Sequence, residues 1–226
     1  MPVQLHLFST PGPGLDVKWI VEACREVLAG RTDATLAYVP QATLAAARWL
    51  QETERVFRET ARPEMIDTEG MDLPEMEAVL RKAALVYIPG GNAFLLNHRL
   101  HESRLMPYLK KKAQGGLPVV AFSAGAVACG PNVLTSNDLN LIPTTHFEGL
   151  GALPFNLNVH YTDSAERDDW LREYQAFHDN PVLMLQDGAY ITVKGKTTTL
   201  VRGEAWCWRA GQEKVKLSPG EAIAPH

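Results

Sequence analysis

The chain has 226 residues, of which 46% are hydrophobic and 21% charged, and it carries a formal charge of −4 at pH 7. That composition excludes a disordered or collagen-like chain, and the mild acidity offers no electrostatic footprint for nucleic acid or an anionic membrane. A chain of this size buries a sizeable core without staples, so residues 1–226 are expected to form one domain. Cys24, Cys129 and Cys207 lie far apart with no CxxC pair, which argues against a disulfide framework or zinc site and for a reduced, cytoplasmic setting. The N-terminus has no basic, long-apolar signal pattern, and no run approaches the roughly 18 apolar residues of a membrane span.

Taken in chain order, hydrophobic periodicity predicts a strand over Val3 to Phe8. Leu15 to Ala29 then reads as a helix with Val17, Ile20, Val21, Cys24, Val27 and Leu28 on one face and Gly30 as its stop. Ala34 to Val39 and Leu44 to Thr60 repeat the unit, and Glu64 to Thr68 with Leu73 to Lys82 form a weaker third pair. The strand Ala84 to Ile88 runs into Pro89-Gly90-Gly91-Asn92. Ala93 to Gln114 is helical with a break near Pro107, and the strand Leu117 to Phe122 stops at Ser123-Ala124-Gly125. Later, Leu157 to His160 and Val182 to Leu185 read as strands. Tyr190 to Val193, Thr197 to Val201 and Ala205 to Arg209 are β-rich runs separated by turn signals, hence hairpins. The pattern predicts an α/β fold: a mostly parallel sheet with helices on both faces and a C-terminal antiparallel β appendage.

In such sheets chemistry gathers where the strands end. Ala121-Phe122-Ser123-Ala124-Gly125 has the form of a nucleophile elbow, in which small residues let a strained strand-to-helix turn project the Ser123 hydroxyl. The alternative is a serine that only caps a helix. Gly90-Gly91-Asn92 lets backbone N–H groups approach a ligand, so Gly91 and Ala124 are candidates for an oxyanion hole; a tight turn is the alternative. Among seven histidines, His160 at a strand end is the candidate base. His98 and His101 read as solvated, His6 lies within the first strand, His146 and His178 sit in polar surroundings, and His226 is terminal. Asp138 and Asp187 compete as the carboxylate that orients the base, and spacing does not choose between them.

These segments together resemble the peptidase E branch of serine peptidase family S51, the α-aspartyl dipeptidases. The resemblance rests on Pro89-Gly90-Gly91-Asn92-Ala93-Phe94, Ser123-Ala124-Gly125-Ala126, Ser136-Asn137-Asp138, Asn158-Val159-His160-Tyr161-Thr162 and Asp187-Gly188-Ala189-Tyr190-Ile191-Thr192-Val193, in family order over about half the chain. It implies a flavodoxin-like fold related to class I glutamine amidotransferases, a serine at the elbow, and no metal or organic cofactor. It supports Ser123 and His160 as catalytic residues and leaves both Asp138 and Asp187 as the third member. The implied substrate is a short peptide, in the type case a dipeptide with N-terminal aspartate, with Arg167 and Asn92 as substrate-binding candidates. The alternative for Arg167 is a solvated helix residue behind the capping-box pattern Asp163-Ser164-Ala165-Glu166. The stretch from His160 to Arg167 is shorter than in the type, so the rival specificities are a carboxypeptidase, a broader aminopeptidase or a cyanophycinase-like hydrolase. A glutaminase is disfavoured because the elbow carries serine rather than cysteine. A noncatalytic ligand-binding module on the same fold is the reading from a different class. Trp206 and Trp208 in the β-rich tail are candidates either for a homo-oligomer interface or for core packing.

Overall fold

The structure, a computed structural model, describes residues 2–13 and 16–223. Leu15 and His226, which the sequence reading assigned to the first helix and the terminus, lie outside the described residues. The elements in chain order are β1 (Gln4–Phe8), α1 (Lys18–Leu28), β2 (Thr35–Tyr38), α2 (Ala46–Phe57), β3 (Arg62–Met65), α3 (Leu73–Lys82), β4 (Leu85–Ile88), α4 (Ala93–Glu102), α5 (Leu105–Gln114), β5 (Val119–Phe122) and α6 (Ala124–Val127). They continue with β6 (Asn156–Val159), α7 (Ala165–Gln175), β7 (Val182–Leu185), β8 (Tyr190–Lys194), β9 (Thr197–Arg202), β10 (Ala205–Trp208), β11 (Val215–Leu217) and β12 (Ala222–Ile223).

An eight-stranded sheet in the order β12-β9-β8-β1-β5-β4-β2-β3 forms the centre. Its five strands from β1 to β3 in that order are mutually parallel. Alternation along the strands explains why both faces need helices. Leu36, Tyr38, Leu85, Tyr87 and Val120 pack with Ile20, Cys24 and Leu28 of α1 and Phe57 of α2. The intervening Ala37, Val39, Val86, Ile88, Val119 and Ala121 pack with helices α3, α4 and α5 on the other side.

Several elements differ from the sequence reading. β3 starts at Arg62 rather than Glu64 because its register is set by β2, with Thr35 opposite Arg62; Pro63 is tolerated because β3 is an edge strand. The α4–α5 break falls at Ser103–Arg104, where Arg104 takes φ 61°, and Pro107 lies in the first turn of α5, where a missing N–H costs nothing.

The C-terminal strands are antiparallel, as expected, but they do not form one appendage. β8 and β9 make a hairpin that extends the main sheet from β1, with β12 beside β9. β10 leaves that hairpin and joins a second, four-stranded sheet in the order β11-β10-β7-β6. Arg202-Gly203 is therefore a crossing between sheets and not a hairpin turn. The second sheet directs Leu157, Val159, Leu183 and Leu185 into the central core. Its other face packs Tyr161, Met184, Trp206 and Trp208 against Leu171 and Tyr174 of α7. Both tryptophans are buried within the chain, which fits the core-packing alternative.

His6 is buried in β1 with Nδ1 2.6 Å from the Tyr190 hydroxyl. Burial pushes its pKa below the ordinary 6.5, against the opposing pull of Glu26. With the folded value below the unfolded one, stability is full above about pH 6.5 and is lost as pH falls toward the folded value, because the unfolded chain binds the proton first. Urea unfolding at pH 7.5 and 5.5 is expected to show a larger loss for the native chain than for His6→Phe, which has no imidazole to charge. Equal losses would remove His6 from the pH response.

Candidate active site

The residue leaving β5 is Ser123, with φ 50° and ψ −122°, a conformation rare for a non-glycine residue that costs on the order of 1–3 kcal/mol. Its N–H donates to Phe8 O at 3.0 Å, which ties the bend to β1. Gly125 is required two residues later: a Cβ there would stand 2.2 Å from Ile88 O, so only glycine lets α6 start this close to the end of β4. The first glycine of a standard elbow is replaced by Ala121, which fits in the core of the strand.

Ser123 Oγ lies 2.9 Å from His160 Nε2, and His160 Nδ1 lies 2.6 Å from Asp187 Oδ1. The imidazole and the carboxylate remain 41% and 66% exposed, so a ligand can reach both. His160 leaves β6 with φ 53°, and Asp187 leaves β7 in a turn closed by Ala189 N–H to Gln186 O at 2.9 Å. Both thus come from the second sheet, whereas Ser123 comes from the main one. His160 does follow the end of a strand, but that strand belongs to the second sheet. The two separately paired sheets are tied together at the residue that follows β1.

The link is Ser9, the fully buried residue that follows β1. Its Oγ accepts from His160 N–H at 2.9 Å and faces Leu185 O at 3.2 Å and Asp187 Oδ1 at 3.4 Å, either of which can take its proton. Thr10 Oγ1 accepts from Gly188 N–H at 3.1 Å beside it. Sequence reasoning missed Ser9; the only signal was its place at a strand exit. Ser9→Ala leaves the part-buried His160 N–H without that acceptor and is expected to cost about 1 kcal/mol of stability. It should also lower kcat about tenfold with little change in KM; unchanged kcat would remove Ser9 from the positioning of His160.

Asp138 stands elsewhere. Its Oδ2 accepts from Ala93 N–H at 2.7 Å and from Ser136 Oγ at 2.8 Å, placing a negative charge at the N-terminus of α4, where the helix dipole favours it. Asn92 caps the same helix: Oδ1 accepts from Leu95 N–H at 2.9 Å and Nδ2 donates to Leu139 O at 3.0 Å. Gly91, with φ 138°, precedes it, and a Cβ there would lie 2.3 Å from Ala42 O. Ala124 opens α6, where a helix leaves its first N–H groups without intrahelical partners.

Arg167 lies in the first turn of α7, which Ser164 caps in place of the expected Asp163. Its guanidinium donates to Asn137 Oδ1, which also accepts from Asn158 Nδ2 at 2.7 Å. Arg167, Ser136, Asn137, Thr162 and Trp170 line a cavity of about 370 Å³. The short segment between His160 and Arg167 is fastened by Lys214, whose ammonium lies 2.6 Å from Asp163, 2.6 Å from Asp168 and 2.7 Å from the Tyr161 hydroxyl. Burial disfavours the charge on Lys214, but these three partners outweigh it and hold its pKa above the ordinary range. Asp163 is accordingly free of the capping role because it serves this cluster.

Other histidines are engaged away from Ser123. His101 stacks on His146 at 4.8 Å, and His178 on Tyr174 at 4.3 Å. Cys129, just beyond α6, is buried with its thiol pushed up to about 12 by desolvation, which keeps it from acting as a thiolate. Among the described residues, no cluster of three or more His, Cys, Asp or Glu is arranged to hold a metal ion, and no helix is long and apolar enough to cross a membrane.

Comparison with known proteins places the chain in a family. The family model described as Peptidase family S51 matches residues 15–201. A Drosophila melanogaster protein named probable alpha-aspartyl dipeptidase is 34% identical over 177 residues, which span 74% of this chain and 72% of that one. Peptidase E of Streptomyces coelicolor is 33% identical over 156 residues, 65% of this chain and 64% of its own length. The crystal structure of a peptidase from an acI-B1 actinobacterium superposes with a TM-score of 0.74 at 18% identity, covering 99% of this chain and 97% of that one, a likeness of fold. The chain belongs to peptidase family S51 and is a serine-type peptidase.

Proposed function

We propose that this peptidase hydrolyses dipeptides bearing an N-terminal aspartate, with Ser123 as nucleophile, His160 as general base and acid, and Asp187 as the orienting carboxylate. The observation that carries the reading is the continuous relay from a serine in a strained elbow through His160 to Asp187. Asp187 accepts from Nδ1–H and so keeps Nε2 free to take the Ser123 proton. Ser123 Oγ then bonds to the scissile carbonyl carbon, while the N–H groups of Gly91 and Ala124 stabilise the oxyanion. His160 returns the proton to the departing amine as the C–N bond breaks. It next deprotonates water, which releases the acid and restores Ser123. The hydrolysis needs no redox partner.

The acidic side chain belongs beside Arg167. A carboxylate leaving water needs a cationic, hydrogen-bonding partner. Asn137 holds one guanidinium N–H and so aims the group while others remain to bind the substrate. The names of the relatives support this assignment. We further infer a flavodoxin-like fold of the class I amidotransferase kind in which 1–226 acts as one unit, since the relay draws on both sheets. A cytoplasmic location fits free, buried Cys24 and Cys129. The test is parallel hydrolysis of Asp-Leu, Ala-Leu and an N-blocked Asp-Leu. Cleavage of Asp-Leu alone is expected, with Arg167→Met raising KM at least tenfold. Equal cleavage of Ala-Leu would remove the aspartyl preference, and cleavage of the blocked peptide would remove the dependence on a free amino end.

A further inference from the structure

A second cavity, of about 500 Å³, opens beside the elbow and shares no lining residue with the Arg167 cavity. Its walls include Tyr38, Trp49, Phe57, Tyr87, Gly90 and Phe122. Phe122 immediately precedes Ser123, and a Cβ built on Gly90 would stand 3.0 Å from Ser123 Cβ, so two wall residues adjoin the nucleophile. The tyrosines and Phe57 form a buried floor. Trp49, on helix α2, is 47% exposed at the cavity instead of packed in the core. The charged groups in its lining are Asp16 and the pair Glu52–Arg55, whose charges lie 2.5 Å apart.

We propose that this aromatic cavity is the subsite for the residue on the leaving-amine side of the scissile bond and that it takes a large apolar side chain, of leucine or phenylalanine size. The inference rests on the dipeptidase reading above. A dipeptide whose carbonyl is at Ser123 has two side chains to place. The acidic one would lose its hydration against aromatic rings in a cavity whose lining carries Asp16 and Glu52 against Arg55, so it belongs with Arg167. The remaining residue has the aromatic cavity as its neighbour, and burial of apolar surface against stacked rings rewards size. Because the leaving residue is held through the transition state, the preference is expected in kcat/KM.

The experiment compares kcat/KM for Asp-Phe, Asp-Leu and Asp-Ala in the native chain, Trp49→Ala and Trp49→Phe. The expected result is a preference of about 10- to 100-fold for Asp-Phe and Asp-Leu over Asp-Ala. That ratio should fall at least fivefold in Trp49→Ala and recover in large part in Trp49→Phe. Hydrolysis of all three at equal kcat/KM, or a preference that Trp49→Ala leaves intact, would overturn this assignment alone. Failure to hydrolyse any of them would overturn the dipeptidase reading and this one with it.

Discussion

Ser123→Ala is expected to lower kcat for Asp-Leu by about 10⁴- to 10⁶-fold, because acyl transfer cannot begin without the Oγ and the remaining groups form one unit with it. The fold should survive. The Ser123 side chain makes its hydrogen bond to His160, whereas the bend itself is held by backbone bonds from Ser123 N–H to Phe8 O and from Val127 N–H to Ser123 O at 3.0 Å. Alanine keeps the positive φ and its cost. Ser123→Gly removes that cost and is expected to be inactive yet more stable than Ser123→Ala by roughly 1 kcal/mol in urea unfolding. Turnover of purified Ser123→Ala within tenfold of the native chain would exclude it as the nucleophile.

The second large effect separates the two carboxylates. Asp187→Asn should lower kcat by about 10²- to 10⁴-fold, since an amide can present an N–H to Nδ1 and favour the wrong tautomer. The lower end reflects the exposure of Asp187, where water can partly substitute for the lost acceptor. Asp138→Asn removes a charge from the N-terminus of α4 and weakens its bonds to Ala93 N–H and Ser136 Oγ. It should cost about 1 kcal/mol of stability and less than tenfold in kcat. Kinetics and unfolding on both variants decide the assignment; a larger loss of kcat in Asp138→Asn would reverse it.

What could be read from the sequence was local. The unbroken apolar runs Leu36 to Val39 and Leu85 to Ile88 mark strands buried on two faces, and small residues around Ser123 mark an elbow wherever the strand pairs. The partners of a strand are a long-range matter. Leu157 to Val159 and Val182 to Leu185 have the same apolar texture as the central strands, yet they pair with each other and with β10. Nothing in their periodicity says that they form a second sheet. For the same reason Asp138 and Asp187 are equivalent as turn aspartates in sequence. Only the pairing that carries β7 beside β6 sets Asp187 against His160. Ser9 was illegible because a serine after a strand usually begins a turn, and its role depends on residues more than 150 positions away.

The most direct test of the account is mass spectrometry of the intact chain and its peptides after treatment with a serine-directed phosphonylating reagent. One adduct on the peptide containing Ser123 is expected, absent in Ser123→Ala and formed far more slowly in His160→Ala. An adduct that persists in Ser123→Ala, or a native chain that stays unmodified while it hydrolyses Asp-Leu, would contradict it.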